Sequence, residues 1–152
     1  GNLKRAGNTL TQRVFSAPRN EATLVIEVGG MADGQEAGLC HLGGTYSWLG
    51  LCQENGKRVL VYNDNGNRTT GPEIEVERIW LRSTWGQDAV SRFSYSLDGE
   101  TFTEFGEPYR LTWGDYRGDR IGVFTYNDLG EAGYIDVDDF HYQPTRFVDE
   151  DN

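Results

Sequence analysis

Three glutamates that alternate along one segment are the strongest candidates for acid–base chemistry. Glu73, Glu75 and Glu77 lie in the run Pro-Glu-Ile-Glu-Val-Glu. Alternate residues of a β-strand share a face and lie about 6.5–7 Å apart. Carboxyl groups at this spacing suit a glycosidase, whose acid and nucleophile must flank one sugar bond. The alternative is a solvated strand face opposed by basic residues, and it is favoured because short motifs often match by chance.

Aromatic residues beside an arginine form a second candidate site, for binding rather than catalysis. Tyr46, Trp48, Trp80 and Arg82 alternate with leucine and isoleucine. Burial of each aliphatic side chain is favourable by about 1.5–3 kcal/mol, so the aliphatic residues should face a core and the other four should face outward. Aromatic rings stack on sugars, and arginine donates to hydroxyl groups. The alternative is packing under loops or in a second small cluster; further candidates nearer the loops are Trp113 and Tyr126.

Two aspartates near the C-terminal end are candidate metal ligands. Asp136 and Asp138 share a face of the last predicted strand, and Ca²⁺ prefers oxygen ligands, of which it takes 6–8. The alternative is a charged edge strand that resists aggregation. His41 and His141 are not in a zinc-ligand spacing, and we expect surface or structural roles for both. The sequence has no nucleophile elbow, phosphate loop or dinucleotide fingerprint.

The elements that must position these residues are predicted to be β-strands. Twenty glycines separate short runs rich in Val, Ile, Thr and aromatic residues, many of them alternating. Asn55-Gly56, Asn65-Gly66 and Asp98-Gly99 are turn dipeptides. Ten short strands predict an all-β antiparallel sandwich of two sheets, of the jelly-roll or lectin-like kind. The predicted strands are residues 9–15, 22–28, 36–42, 46–52, 58–62, 73–83, 90–96, 101–105, 120–126 and 133–142.

Length and charge limit the classes of partner. The 152 residues fit one domain, with a module at 1–143 and an acidic tail or linker at 144–152. A formal charge of −10 disfavours nucleic acid and anionic membranes, but it is compatible with a neutral polysaccharide. Cys40 and Cys52 are expected on neighbouring strands, either as buried thiols or as one disulfide. The first residues show no signal-peptide hydrophobic region, so we interpret the chain as an excised module or processed fragment.

Several short segments, in their order and spacing, resemble one known domain family. They are residues 8–13 (NTLTQR), 30–39 (GMADGQEAGL), 46–50 (YSWLG), 81–82 (LR), 95–99 (YSLDG), 117–124 (RGDRIGVF) and 133–142 (GYIDVDDFHY). They resemble the C-terminal concanavalin A-like sandwich of family-43 glycoside hydrolases, the β-xylosidases and arabinofuranosidases. The likeness covers residues 8–142. The chain departs from the family at Cys40 and Cys52, where small or aliphatic residues are usual, and at Asp139, where a bulky aromatic is common.

The resemblance implies a non-catalytic role. The active carboxylates of that family lie in a separate propeller domain, on which the sandwich packs and whose pocket one sandwich loop helps to close. Related modules bind xylan. In related lectin-like glucanases an aspartate matching Asp138 ligates a structural Ca²⁺. These likenesses imply a secreted module, extracellular or periplasmic, that accompanies a catalytic glycoside hydrolase domain.

Three functional hypotheses follow. The first is an accessory module that binds xylan or arabinoxylan or supports a partner hydrolase domain. The second is a stand-alone endo-glycosidase that uses Glu73, Glu75 and Glu77. The third is a purely structural domain that packs on a catalytic propeller and therefore exposes a large apolar patch when isolated.

Overall fold

The computed structural model describes residues 8–13, 19–42, 45–86, 90–110, 120–127 and 133–145 of the chain. Every regular element in these ranges is a β-strand. The same ranges contain no helix that is long and apolar enough to cross a membrane. The strands are β1 Asn8–Arg13, β2 Arg19–Glu27, β3 Gln35–Leu42, β4 Tyr46–Glu54, β5 Lys57–Asp64, β6 Asn67–Glu73, β7 Arg78–Gly86, β8 Val90–Ser96, β9 Thr103–Glu104, β10 Tyr109–Arg110, β11 Arg120–Asn127 and β12 Asp136–Thr145.

The strands form two antiparallel sheets of six strands each. The first sheet has the order β1-β11-β3-β4-β5-β6. The second has the order β10-β8-β7-β2-β12, with β9 paired to β8. This architecture confirms the predicted all-β sandwich.

The main core lies between the two sheets and follows from strand alternation. On β2 the even-numbered Ala22, Leu24 and Ile26 are fully buried in it. Leu39 and Leu49 face them from the first sheet, along with aliphatic residues of β5 and β11. Residues of the opposite parity therefore lie on the outer face of each sheet.

Turn dipeptides and close-packed glycines set the strand register. Asn55 and Asn65 adopt positive φ angles of 53° and 52°, as the predicted Asn-Gly turns require. Gly38 and Gly50 pair across β3 and β4. A Cβ atom on Gly38 would collide with the carbonyl oxygen of Leu49, so the two backbones approach more closely here than any side chain allows.

The predicted strand at residues 73–83 is wrong at its beginning. Strand β6 ends at Glu73, and the chain then crosses from the first sheet to β7 of the second. Ile74 turns into the core with 3% exposure, and its backbone N–H donates to the carbonyl of Arg58. The Val28 N–H bonds the Glu77 carbonyl in the same crossing. The sequence reading also missed β6 and the short β10.

The structure also bears on the predicted end of the module and on the two cysteines. Strand β12 pairs with β2 as far as Thr145, two residues beyond the predicted boundary at residue 143. Cys40 and Cys52 lie on neighbouring strands, as predicted, and both are free thiols. Of the two alternatives for the cysteines, the structure therefore selects free thiols, with Cys40 buried and Cys52 partly buried.

Candidate functional site

The outer face of the first sheet carries a covered aromatic cluster. Trp48 lies here with Cys40, Val61 and Phe124, on the side opposite the main core. Its ring is 1% exposed, with the Phe124 ring centroid 4.9 Å away. The guanidinium carbon of Arg68 lies 5.4 Å from the Trp48 ring centroid. The outward orientation predicted for Trp48 is correct, but the ring is not an exposed platform because this second small cluster buries it.

A carboxylate, a thiol and a guanidinium meet beside this cluster. Glu36 is 8% exposed and forms an ion pair with Arg68. The Cys52 thiol donates to Glu36 Oε2 at 3.2 Å. Burial, followed by the Glu36 charge, raises the pKa of Cys52 to about 12. This thiol is therefore protonated near neutral pH and is a poor nucleophile.

The outer face of the second sheet presents a partly exposed strip of two aromatic rings and one guanidinium. Trp80 and Arg82 point to the same side of β7, and the Phe102 ring centroid lies 3.8 Å from the Arg82 guanidinium carbon. Arg82 Nε donates to Thr23 Oγ1 at 3.1 Å and lies 3.7 Å from Glu21 Oε1. Trp80, Arg82 and Phe102 are each partly exposed. We call these three residues the Trp80–Arg82–Phe102 strip.

The turn after β8 lies beside Trp80 and leads to Phe102, the two aromatic residues of this strip. The Asp98 carboxylate accepts hydrogen bonds from the backbone of Glu100 at 2.9 Å and of Thr101 at 3.0 Å. These backbone donors, that of Thr101 first, lower the pKa of Asp98 to about 2. Gly99, with φ of 82°, packs so closely that a Cβ there would lie 2.8 Å from the Trp80 ring. Asp98 thus stabilises the turn against which Trp80 packs and from which the chain continues to Phe102.

The structure divides the sequence-predicted binding residues between opposite sides of the molecule. Tyr46 and Tyr126, like Trp48, lie on strands of the first sheet, whereas Trp80 and Arg82 lie on the second. Tyr46 packs partly buried against the covered cluster, and Tyr126 is partly exposed beside Glu36 on the neighbouring strand. Trp113 lies outside the described residues.

Sequence reading missed Phe102, which completes the exposed strip. Phe102 lies within the predicted strand 101–105, directly after the predicted Asp98-Gly99 turn. That hairpin pairs Ser94 with Glu104. Continuing this register places Phe102 opposite Ser96 and in line with Trp80, on the sheet face that also carries Arg82. The sequence alone did not give the register of the β8–β9 hairpin.

The three glutamates do not form the predicted carboxylate row. Glu73 ends β6, while Glu75 and Glu77 lie in the crossing between the sheets. All three are exposed. Arg58 Nη2 binds the backbone carbonyl of Val76 at 3.2 Å and so holds the crossing away from strand geometry. The shared face on which the endo-glycosidase hypothesis depended is therefore absent at these residues.

Of the two candidate metal ligands near the C-terminal end, Asp138 lies next to an arginine. Arg78 Nη2 is 3.2 Å from Asp138 Oδ2 and 2.7 Å from Glu27 Oε1. Desolvation and the hydrogen-bonded Glu27 carboxyl raise the pKa of Asp138; the positive charge of Arg78 opposes this, and the charge of Asp136 adds to it. The described residues contain no group of three or more His, Cys, Asp or Glu side chains placed to hold a metal.

His41 lies deep between the sheets as a structural residue. Its Nε2 atom is 2.7 Å from Ser83 Oγ and 3.1 Å from Ser91 Oγ. The Trp85 ring meets it edge-on at 5.0 Å. Burial lowers the pKa of His41 to about 3, so the ring is neutral near pH 7. His141 instead lies on the outer face, 2.7 Å from Asp139.

Known proteins resemble this chain over most of its length. A family model described as "Beta xylosidase C-terminal Concanavalin A-like domain" matches residues 2–143. A β-xylosidase of Formosa agariphila is 39% identical over 140 residues, which cover 91% of this chain and 24% of the relative. The chain therefore spans about a quarter of that relative's length.

Solved structures agree with this assignment. An engineered GH43 glycoside hydrolase that displays endo-xylanase and exo-arabinofuranosidase activity aligns with a TM-score of 0.81 and 26% identity, over 91% of this chain and 31% of its own. A tetrameric galectin from the sponge Cinachyrella aligns with a TM-score of 0.54 and 16% identity, over 89% of this chain and 99% of its own, and so shares the fold. From its sequence and its fold, this chain belongs to the C-terminal concanavalin A-like domains of GH43 β-xylosidases.

Proposed function

We propose that this chain is a non-catalytic accessory domain that binds xylan or arabinoxylan through the Trp80–Arg82–Phe102 strip, next to a catalytic glycoside hydrolase domain in the parent protein. The observation that carries the proposal is the partial exposure of the three side chains on one face, whereas Trp48 is 1% exposed. Aromatic rings with a guanidinium between them offer stacking surfaces and hydroxyl donors together. As the likeness to secreted modules implies, the domain is proposed to act in the extracellular or periplasmic space.

Affinity electrophoresis in soluble arabinoxylan tests the proposal. Wild-type migration is expected to be retarded, and Trp80→Ala and Phe102→Ala are each expected to remove most of the retardation. Tyr134→Ala is the matched control, because Tyr134 is 63% exposed and lies outside the strip. Unretarded migration of the folded wild-type chain would refute glycan binding.

A purely structural role is the second candidate, and one observation favours it. Four large hydrophobic residues are exposed among those the structure describes, namely Val76, Leu97, Tyr134 and Val137. Each lies at or next to the end of the second sheet where β2 and β8 end and β7 and β12 begin. This role predicts no retardation of any variant, and reduced self-association when Tyr134 and Val137 are both replaced by serine.

Calcium binding at Asp136 and Asp138 is a separate proposal. Its support is the pair of carboxylates near Glu27. The Arg78 guanidinium, by contrast, already supplies positive charge to Glu27 and Asp138. Thermal unfolding with Ca²⁺ and with excess EDTA is the test. A melting temperature several degrees higher in Ca²⁺, lost in Asp138→Asn, supports the site. Equal melting temperatures count against it.

A further inference from the structure

The guanidinium of Arg82 is fixed in position before any ligand arrives. The Phe102 ring lies against its face, and Nε is engaged by Thr23 Oγ1 and lies near Glu21 Oε1. Among the described residues no hydrogen bond uses the two terminal nitrogens, and the side chain is 29% exposed. A planar donor fork held in this way loses little conformational entropy on binding.

Such a fork matches two kinds of ligand group, a carboxylate or a pair of adjacent hydroxyls. The charges around Arg82 distinguish them. Glu21 already lies beside the guanidinium, and the chain carries a formal charge of −10. On β12, which lies beyond β2, the charge of Asp139 lies next to His141. On the other side of Arg82, the same face carries one cation, Arg92, and one further carboxylate, Glu104. Acidic groups therefore outnumber the other cations around Arg82, and they disfavour a carboxylate ligand but not a neutral diol.

We infer that Arg82 binds two adjacent hydroxyls of a neutral sugar ring and that uronic acid groups add nothing to recognition. Trp80 lies two residues away on the same strand face, about 6.5–7 Å distant, so that one chain of sugars can touch both. The inference rests on the proposed function and specifies its ligand. In this inference, affinity comes from the planar arrangement of the Arg82 N–H donors and not from the positive charge of the guanidinium.

Calorimetric titration with xylohexaose and with a glucuronic acid-substituted xylooligosaccharide of equal backbone length tests this. The wild-type chain is expected to bind both within about twofold, with less than twofold change between low and high salt, since screening weakens only charge-driven binding. Arg82→Lys keeps the charge and Arg82→Gln removes it, yet both lack the fork. Both are expected to lose at least fivefold in affinity for xylohexaose.

Arg92→Gln is the matched control and is expected to keep wild-type affinity, because Arg92 lies opposite Thr84 on the same sheet face but outside the strip. Circular dichroism checks the fold of each variant. Tighter, salt-sensitive binding of the acidic oligosaccharide, retained in Arg82→Lys and lost in Arg82→Gln, would overturn the inference alone. Binding that both substitutions leave unchanged would do the same. Failure of the wild-type chain to bind either sugar would overturn the proposed function as well.

Discussion

Replacing the buried His41 with glutamine is expected to remove an acid sensitivity that the wild-type domain owes to this one ring. In the unfolded chain a histidine has a pKa of about 6.5. In the folded domain burial lowers the pKa of His41 to about 3. Between these two values the unfolded chain holds one more proton than the folded one. Stability therefore falls as the pH falls through this window, and it is fully present above the unfolded pKa.

The size of the effect follows from the two pKa values. Each pH unit inside the window changes the free energy of unfolding by about 1.36 kcal/mol. At pH 7 the unfolded histidine is mostly neutral, and at pH 5 it is almost fully protonated while the folded ring is still neutral. The wild-type domain should therefore lose about 2 kcal/mol from His41 between pH 7 and pH 5. Any folded-state pKa below about 4 gives nearly the same loss.

Urea unfolding at pH 7, 6 and 5, followed by tryptophan fluorescence, measures this loss. His41→Gln is neutral throughout and can still offer an amide to the Ser83 and Ser91 hydroxyls. Carboxylates titrate equally in both proteins, so they cancel in the difference between them. The difference in free energy of unfolding between wild type and His41→Gln should be about 2 kcal/mol smaller at pH 5 than at pH 7. Leu97→Gln, at an exposed and uncharged position, is the control that should keep the wild-type acid loss.

A direct titration guards against a variant that does not fold. The His41 ring proton resonances of the wild-type domain should not shift between pH 7.5 and 4.5. Equal acid losses in wild type and His41→Gln, or a His41 resonance that titrates near pH 6.5, would refute the reasoning from burial.

The remaining predictions concern packing, thiol reactivity and the turn beside the strip. Gly38→Ala should lower stability by about 1–3 kcal/mol in urea unfolding, because the backbone it would strike cannot yield; a wild-type midpoint would contradict this. Cys40 and Cys52, whose pKa values burial raises to about 12, should resist Ellman's reagent at pH 8 until the chain is unfolded, and rapid labelling of the folded domain would show that they are accessible. Asp98→Ala should lower both the melting temperature and the affinity for arabinoxylan, with Asp98→Asn closer to wild type because its amide oxygen still accepts the backbone hydrogen bonds; unchanged affinity in Asp98→Ala would remove the turn from the site.

Local information in the sequence determined the strands, the turns and the direction in which side chains point. Alternation is a property of the extended chain itself, so Leu49 and Leu81 could be assigned to the core, and Trp48 and Arg82 to the opposite side. The Asn-Gly dipeptides were equally readable because positive φ restricts residue choice. The family segments, read in order, correctly indicated the concanavalin A-like domain. Each of these signals acts within a few residues.

Only the tertiary structure decided which faces coincide and which side chains remain exposed. Parity gives a side chain's direction relative to its own strand but not which sheet holds the strand, so Tyr46 and Trp80 were grouped although they lie on different sheets. The burial of Trp48 depends on Phe124, which is distant in sequence and brought near by β11. The crossing that separates Glu73 from Glu77 depends on hydrogen bonds to distant strands, and no local pattern encodes such contacts.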